Sequence, residues 1–216
     1  DVSASFVIDA TGRVARLGRR LTAYRRIDRL LAATSTLGQQ DSRVDPTPAT
    51  LIEAVADGWW YASLLRSGRL SIAYFSDPDL VPYGLSSDLA SWRGLAMRSI
   101  HLSRWLADAD FAVTAPPRLV TAGTTCLMSA AGVTESGAGW AAAGDAATAF
   151  DPLSSQGLTI ALWTGMKAGL AAAEWLAGNH APLTHYATLV RKNFEAYLRQ
   201  RQTYYSAENR FRDRDF

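Results

Sequence analysis

The chain has 216 residues, 48% apolar and 19% charged, with a formal net charge of +2. That apolar content supports one large or two small packed domains and excludes a disordered chain, while a single cysteine, Cys126, excludes a disulfide scaffold. No apolar run reaches the roughly 18 residues that a membrane-spanning helix needs.

The sequence opens at Asp1, without a methionine or signal-type segment, on the start of what reads as a buried strand; a truncated or processed protein is expected. Ser5-Phe-Val-Ile-Asp9 is that strand, ended by the turn residues Ala10-Thr11-Gly12. Arg25 to Leu37 and Leu51 to Val55 are predicted strands around a polar surface loop, Gly38 to Thr50, that carries Pro46 and Pro48. Trp59 to Leu65 and Leu70 to Phe75, joined at Ser67-Gly68, predict a hairpin. Ser86 to Ala107 reads as one helix with a serine–aspartate start, and Pro116-Pro117 separates it from a strand over Arg118 to Leu127. Trp140 to Ala143 is a short apolar strand ending at Gly144-Asp145. Two helices follow, Ser155 to about Ala177 and Pro182 to about Tyr205, and the charged stretch from Arg210 to Phe216 is expected to fray. This order predicts a mixed α/β or α+β fold with the middle strands forming a separate antiparallel layer.

The segment richest in chemistry is Gly144-Asp145-Ala-Ala-Thr-Ala-Phe150-Asp151-Pro152-Leu153-Ser154-Ser155-Gln156-Gly157-Leu158. Gly144 allows a ligand close to the backbone, and Asp145 presents a carboxylate at a strand end, suited to a polyol hydroxyl. Pro152 stiffens the loop, and free N–H groups around Ser155, Gln156 and Gly157 open a helix N-terminus to negative charge. A cofactor with a polyol chain and an electron-rich ring could use both ends of this loop. An ordinary strand–loop–helix connection, with Asp and Ser capping the helix, is the other reading.

The same segment resembles the second flavin-contacting motif of FAD-dependent aromatic hydroxylases and flavin-dependent halogenases. Asp9-Ala10-Thr11-Gly12-Arg13 is similar to the Asp-Ala-Thr-Gly turn those proteins place beside FAD, and Gly58-Trp59-Trp60-Tyr61 with Phe75-Ser76-Asp77-Pro78 is similar to a hairpin of the same class. The resemblance implies a glutathione-reductase-type FAD-binding fold with an antiparallel substrate-domain sheet. It would divide into FAD-binding segments over 1–20 and 136–178, a substrate domain over 21–135 and a C-terminal helical segment over 179–216. It implies that Ala10, Thr11, Gly12 and Arg13 line the dinucleotide, that Asp145 binds the ribityl chain with Gly144 giving clearance, and that N–H groups near Gln156, Gly157 and Leu158 face the flavin pyrimidine edge. Pro152, with Ser154 and Ser155, would lie at the reactive face, where reduced flavin meets oxygen. Independently of the resemblance, Trp59, Trp60 and Tyr61 alternate across a strand, so one face is expected to be core and the other to be open to a cavity for a planar substrate, with Trp60 and Tyr61 as the candidate lining residues.

Departures from the halogenase pattern sharpen the expectation. Halogenases carry Trp-x-Trp-x-Ile-Pro on the hairpin, where this chain reads Trp59-Trp60-Tyr61-Ala62-Ser63-Leu64, and a glutamate where this chain has Ser154. The lysine they need would lie upstream of Asp1. Asp-Pro-Leu-Ser-Ser-Gln-Gly looks closer to halogenase-like monooxygenases, including those that oxidise side chains of a partner protein during quinone-cofactor maturation. The expected activity is therefore hydroxylation of an electron-rich aromatic or protein-bound side chain through a flavin hydroperoxide, with NAD(P)H or a separate flavin reductase as electron source. A halogenase and a non-catalytic flavin-fold protein that binds a partner are the alternatives. A strand–Gly-x-Gly-x-x-Gly–helix unit for the pyrophosphate is missing, since Gly137-Ala-Gly139-Trp-Ala-Ala142 is followed by a strand. An N-terminal portion of the same protein, on the order of a hundred residues, is expected to supply it.

The remaining features carry less. Twenty arginines stand against two lysines, Lys167 and Lys192, and cluster over 13–29 and 199–214. No nucleic-acid motif accompanies them, so solvated or acid-paired faces are expected and a nucleic-acid partner is not. His101, His180 and His185 lack metal-ligand spacing, Cys126 reads as a core thiol, and Gly165 with Gly169 allows close helix packing. No metal and no membrane association are expected, and a cytoplasmic location is the default.

Overall fold

The structure, a computed structural model, describes residues 3–41, 44 and 46–211. Its strands and helices in chain order are β1 (Phe6–Asp9), α1 (Gly18–Leu21), β2 (Tyr24–Arg26), β3 (Leu31–Leu37), β4 (Thr50–Val55), β5 (Gly58–Leu64), β6 (Leu70–Ser76), α2 (Leu89–Met97), α3 (His101–Asp108), β7 (Arg118–Thr121), β8 (Thr125–Leu127), β9 (Ala131–Val133), β10 (Gly139–Ala142), β11 (Thr148–Ala149), α4 (Gly157–Leu176) and α5 (Ala181–Ala207). The chain forms two compact units. One comprises Asp1–Asp28 and Gly123–Ala207, the other Arg29–Ala122 and Glu208–Phe216. The boundaries expected from the sequence lie at 20–21 and 135–136; β2 and β8 pair with each other, which puts both in the first unit. Of the stretch expected to fray, only Arg210 and Phe211 are among the described residues.

In the second unit β4-β5-β6-β3-β7 form an antiparallel sheet. The predicted hairpin is present with Trp60 opposite Tyr74 and Ala62 opposite Ile72. Period-two alternation puts these residues on one face, and that face is the core. There Trp60, Tyr74, Ile72 and Leu70 pack with Trp92, Leu95 and Leu102 of α2 and α3. The Trp60 and Trp92 rings lie 5.0 Å apart, and Trp92 Nε1 donates to Ser35 Oγ at 3.0 Å, so the indole's polar edge is satisfied in the interior. Trp59 lies on the opposite face, stacked on its cross-strand partner Phe75 at 4.0 Å.

The predicted helix over Ser86 to Ala107 is two helices. Asp88 caps α2 by accepting from the Ser91 N–H at 3.0 Å. The chain then bends at Arg98–Ile100, where the Ser99 hydroxyl donates to the Ala96 carbonyl and α3 begins on a carboxylate from β4. Glu53, only 6% exposed, accepts from the N–H groups of Ile100 (2.6 Å), His101 (3.1 Å) and Leu102 (2.9 Å). Three orphan donors and the positive helix end thus meet one buried carboxylate. Glu53→Ala is expected to lower stability by roughly 1–3 kcal/mol, with Glu53→Gln recovering part of it, because the helix end loses its carboxylate and the buried Leu102 N–H is left unpaired, while water reaches the N–H groups of the exposed Ile100 and His101. Thermal denaturation checks this, and an unchanged melting temperature in Glu53→Ala would remove Glu53 as the cap.

In the first unit β1 runs parallel to β10, which pairs antiparallel with β9, and a second small sheet has the order β11-β8-β2. The strand predicted over Arg118 to Leu127 is therefore two strands, β7 in the five-stranded sheet and β8 in this one. Likewise the stretch from Arg25 to Leu37 divides into β2 and β3. The core is rich in alanine: Ala141, Ala142, Ala146, Ala147, Ala168 and Ala171 are all below 4% exposed. These small side chains let α4 lie close on β1 and β10. Tyr186 of α5 donates its hydroxyl to the Ala142 carbonyl at 2.5 Å, and burial pushes its phenol well above the usual range.

Candidate functional site

The turn after β1 is organised by Asp9, which is 2% exposed. Its carboxylate accepts from the Thr11 N–H (3.0 Å) and hydroxyl (2.6 Å) and from the N–H groups of Leu17 and Gly18 (both 2.8 Å). Burial alone would raise its pKa, but the Thr11, Gly18 and Leu17 hydrogen bonds outweigh it and hold the carboxyl below the usual range. Asp9 is thus occupied internally, and it shapes Ala10 to Arg13. Gly12 takes φ +66°, the left-handed conformation such a turn favours for glycine.

Arg13 joins this turn to the other motif. Its Nε lies 3.3 Å from Asp145 Oδ2, one terminal nitrogen donates to the Gly123 carbonyl, and the other donates to the Phe150 carbonyl at 3.1 Å. The side chains are 25% and 38% exposed, so the pair sits at the edge of the interior. One planar guanidinium therefore fastens the residues after β1, β10 and β11 together, using the fork geometry that lysine lacks.

After β10 the backbone turns at Gly144, with φ +58°. A Cβ there would lie 3.4 Å from that of Ala161, and the Gly144 N–H donates to Thr164 Oγ1 at 2.7 Å, which locks the turn against α4. Asp145 follows, half-exposed, with one oxygen on Arg13 and no protein donor to Oδ1 among the described residues. Pro152 and Ser154 lie in a single 3₁₀ turn whose cap is Asp151, and Ser155 takes φ +53°. The Ser154 hydroxyl donates to the Asp151 carbonyl at 2.8 Å, a turn-closing role, and the Ser155 side chain is exposed. Helix α4 begins at Gly157, two residues later than predicted. Its N-cap, Gln156, makes no capping bond; its side-chain amide donates to Gln200 Oε1 at 2.9 Å instead. The first N–H groups of α4, at the exposed residues Gly157 and Leu158, are uncapped and open to an acceptor.

The structure therefore gathers Ala10 to Arg13, Gly144-Asp145 and Pro152 to Leu158 in one unit. Trp60 and Tyr61 belong to the other and point to opposite faces of its sheet. Trp60 is 1% exposed and is a core residue beneath the helices rather than part of a cavity wall, whereas Tyr61 is half-buried on the far face. Alternation shows that the two residues part company but not which face the helices cover.

A group of residues outside every motif also meets this loop. Asp151, 1% exposed, is contacted by Tyr205 and Arg201 of α5, and its N–H donates to the Tyr197 hydroxyl at 2.8 Å. Only the helical pattern of α5 is visible in the sequence; nothing there marks these three side chains as partners of Asp151. Elsewhere His180 stacks on Trp175 at 3.9 Å, and burial, partly offset by Arg25, raises the Cys126 thiol. Among the described residues no cluster of His, Cys, Asp and Glu is placed to hold a metal, and no helix is long and apolar enough to cross a membrane.

No protein-family model matches the sequence, and no curated protein matches it by sequence similarity. Solved structures do match. The peptidyl tryptophan dihydroxylase QhpG, essential for tryptophylquinone cofactor biogenesis, superposes with a TM-score of 0.77 at 22% identity, over 99% of this chain and 47% of its own. CmlS, a flavin-dependent halogenase, gives 0.72 at 20% identity over 89% of this chain and 35% of its own. The myxobacterial chondrochloren halogenase CndH, an FAD-dependent enzyme, gives 0.72 at 21% identity over 88% and 45%. The chain thus shares the fold of part of these flavin-dependent enzymes and spans less than half the length of each.

Proposed function

We propose that this chain is part of an FAD-dependent monooxygenase that oxidises an electron-rich aromatic or protein-bound side chain. The observation that carries the reading is the convergence, in one unit, of a half-exposed carboxylate at a strand end with the uncapped N-terminus of a long helix. A flavin presents the matching chemistry: a ribityl polyol for Asp145 and a pyrimidine edge with acceptors for the N–H groups at Gly157 and Leu158. The fit is also steric, because a Cβ at Gly157 would meet no atom within 4 Å, leaving the approach to the helix end clear.

FAD, when bound, supplies the redox chemistry and the reaction with oxygen. The chain's residues bind and orient it. Asp145 would accept from ribityl hydroxyls through Oδ1 while Arg13 holds Oδ2. The positive end of α4 favours negative charge on the reduced ring, an electrostatic contribution already in place before reaction. Pro152 and Ser155, both exposed, present the loop surface on the reactive side. NAD(P)H or a separate reductase supplies electrons.

The exposed surfaces of the first unit support a further strand–helix element, the expected pyrophosphate-binding portion of the same protein. Among the described residues β1 lies at the end of its sheet with β10 as its one neighbour, and Val7 and Ile8 are each 41% exposed. Along α4, Leu158, Leu162, Met166 and Leu170 recur every fourth residue and are 56–83% exposed. Parallel sheets are ordinarily covered on both faces, and an apolar helical stripe ordinarily meets another element. On this reading the chain by itself binds FAD poorly.

The test is to express the full-length protein and look for a bound yellow chromophore; its absence overturns the proposal. In that protein Asp145→Ala is expected to weaken FAD binding by about one to two orders of magnitude, as loss of a charged hydrogen bond of roughly 1.5–3 kcal/mol gives. Unchanged affinity would count against the assignment of Asp145. The likeness to CmlS and CndH favours a halogenase as the second reading, and a halide-dependent product would establish it in place of hydroxylation.

A further inference from the structure

We propose that Arg201 and Tyr205, in the last two turns of α5, are positioning residues that hold the Asp151–Pro152 segment in the shape the candidate flavin site uses. The inference rests on the flavin reading for its functional meaning and on side-chain geometry for its substance.

Asp151 immediately precedes Pro152, and its carboxylate is almost wholly removed from water. A buried carboxylate needs partners for each oxygen. Oδ1 is met locally, by the Leu153 N–H at 2.9 Å, which caps the 3₁₀ turn. Oδ2 is met from α5 instead: the Tyr205 hydroxyl donates at 2.7 Å, and Arg201 Nε lies at 3.4 Å. The arginine is itself anchored, its terminal nitrogen 3.1 Å from Asp28 Oδ2, while Asp28 Oδ1 accepts the Thr124 N–H at 3.0 Å. The backbone is held from the same direction. The Asp151 N–H donates to the Tyr197 hydroxyl, which also meets Thr124 Oγ1 at 3.1 Å, and the Tyr197 ring stacks on Phe150 at 3.9 Å.

Tyr197, Arg201 and Tyr205 follow one another at four-residue spacing, so they form one face of α5. That face grips the side chain and the amide of a single loop residue. Burial by itself would make the Arg201 guanidinium easier to deprotonate, but Asp28 and then Asp151 more than offset it, so the cation persists. The local turn can form without α5, since its Asp151 Oδ1 and Ser154 bonds lie within the loop. The helix contributes its direction: with Oδ1 held by the loop and Oδ2 by Arg201 and Tyr205, the Asp151 carboxylate is fastened on both sides at the point from which Pro152 to Gly157 start. Residues remote from the flavin motifs would in this way set the loop that presents the reactive-side surface and the uncapped helix end.

Arg201→Met, Arg201→Lys and Tyr205→Phe, made in the full-length protein, test this by amide hydrogen exchange and FAD titration. Tyr205→Phe removes one hydroxyl and keeps the ring, so it remains informative if Arg201→Met folds poorly. The expected result is amide exchange at Leu153 to Ser155, the hydrogen-bonded amides of the turn, faster by about tenfold or more, with β10 and the middle of α4 unchanged. FAD affinity falls by about three- to thirtyfold, and Arg201→Lys, which keeps the charge but not the fork that spans Asp28 and Asp151, recovers only part of both effects. Loop exchange and affinity equal to those of the unaltered protein would overturn the proposal. So would a uniform rise in exchange across the whole unit, the mark of a purely structural role. If the unaltered protein binds no FAD while the local exchange difference is present, the flavin reading fails and the loop-holding role stands.

Discussion

Arg13→Met is expected to weaken FAD binding by at least about an order of magnitude and to lower stability by about 2–4 kcal/mol. The reason is what the guanidinium leaves behind. Methionine keeps the length of the side chain but strips the Gly123 and Phe150 carbonyls of their donor and leaves Asp145 without its counter-charge. An unmade hydrogen bond at a desolvated carbonyl costs roughly 1–3 kcal/mol, while the ion pair, with Asp145 38% exposed, adds only a screened contribution. Most of the stability loss is thus assigned to the carbonyls and most of the affinity loss to the freed Asp145 loop. A double-mutant cycle with Asp145→Asn separates the two: coupling is expected in FAD affinity and much less in denaturation. Additive effects on affinity would show that Arg13 and Asp145 act independently and would overturn the role of Arg13 as the residue that sets the Asp145 loop.

The second large effect lies in the other unit. Trp60→Ala is expected to cost about 3–5 kcal/mol, because a large indole packed between Tyr74 and Trp92 leaves a cavity that the sheet and two helices cannot close. Tyr61→Ala, one residue along and on the other face, is expected to cost much less, as befits a half-buried side chain. Urea denaturation of the whole chain, with comparison of midpoints at constant slope, reads both. Equal costs would contradict the assignment of Trp60 to the core face. The comparison also tests the sequence expectation about these two aromatics, since a cavity-lining Trp60 would tolerate truncation and alter ligand binding instead.

Features encoded in consecutive residues are legible in the sequence alone. The hairpin of β5 and β6 follows from aromatic and alternating residues on either side of Ser67-Gly68, and it forms with its strand ends within a residue or so of those predicted. β10 and its Gly144-Asp145 end, and α4 behind the Pro152 loop, are legible for the same reason. The errors share a cause as well. The single helix read over Ser86 to Ala107 breaks because Glu53, on a strand far back in the chain, captures the N–H groups of Ile100 to Leu102. The single strand read over Arg118 to Leu127 divides because its two halves pair with different sheets. Asp9 reads as a turn residue beside a ligand, but its four hydrogen bonds go to its own turn and to the start of α1.

By itself the sequence determined the local pieces: which segments extend, which coil, where glycine permits a left-handed turn, and which strand end carries a carboxylate. These depend on dihedral preferences and on hydrogen bonds spanning a few residues, so they are written in short windows. Tertiary structure alone decided what those pieces face. It put Trp60 in the core and Tyr61 on the opposite face, set Arg13 against Gly123, Asp145 and Phe150, and closed Asp151 with side chains of α5. A buried charge or an indole takes its energy from whichever groups the folded chain brings to it, and those groups lie as much as 137 residues away.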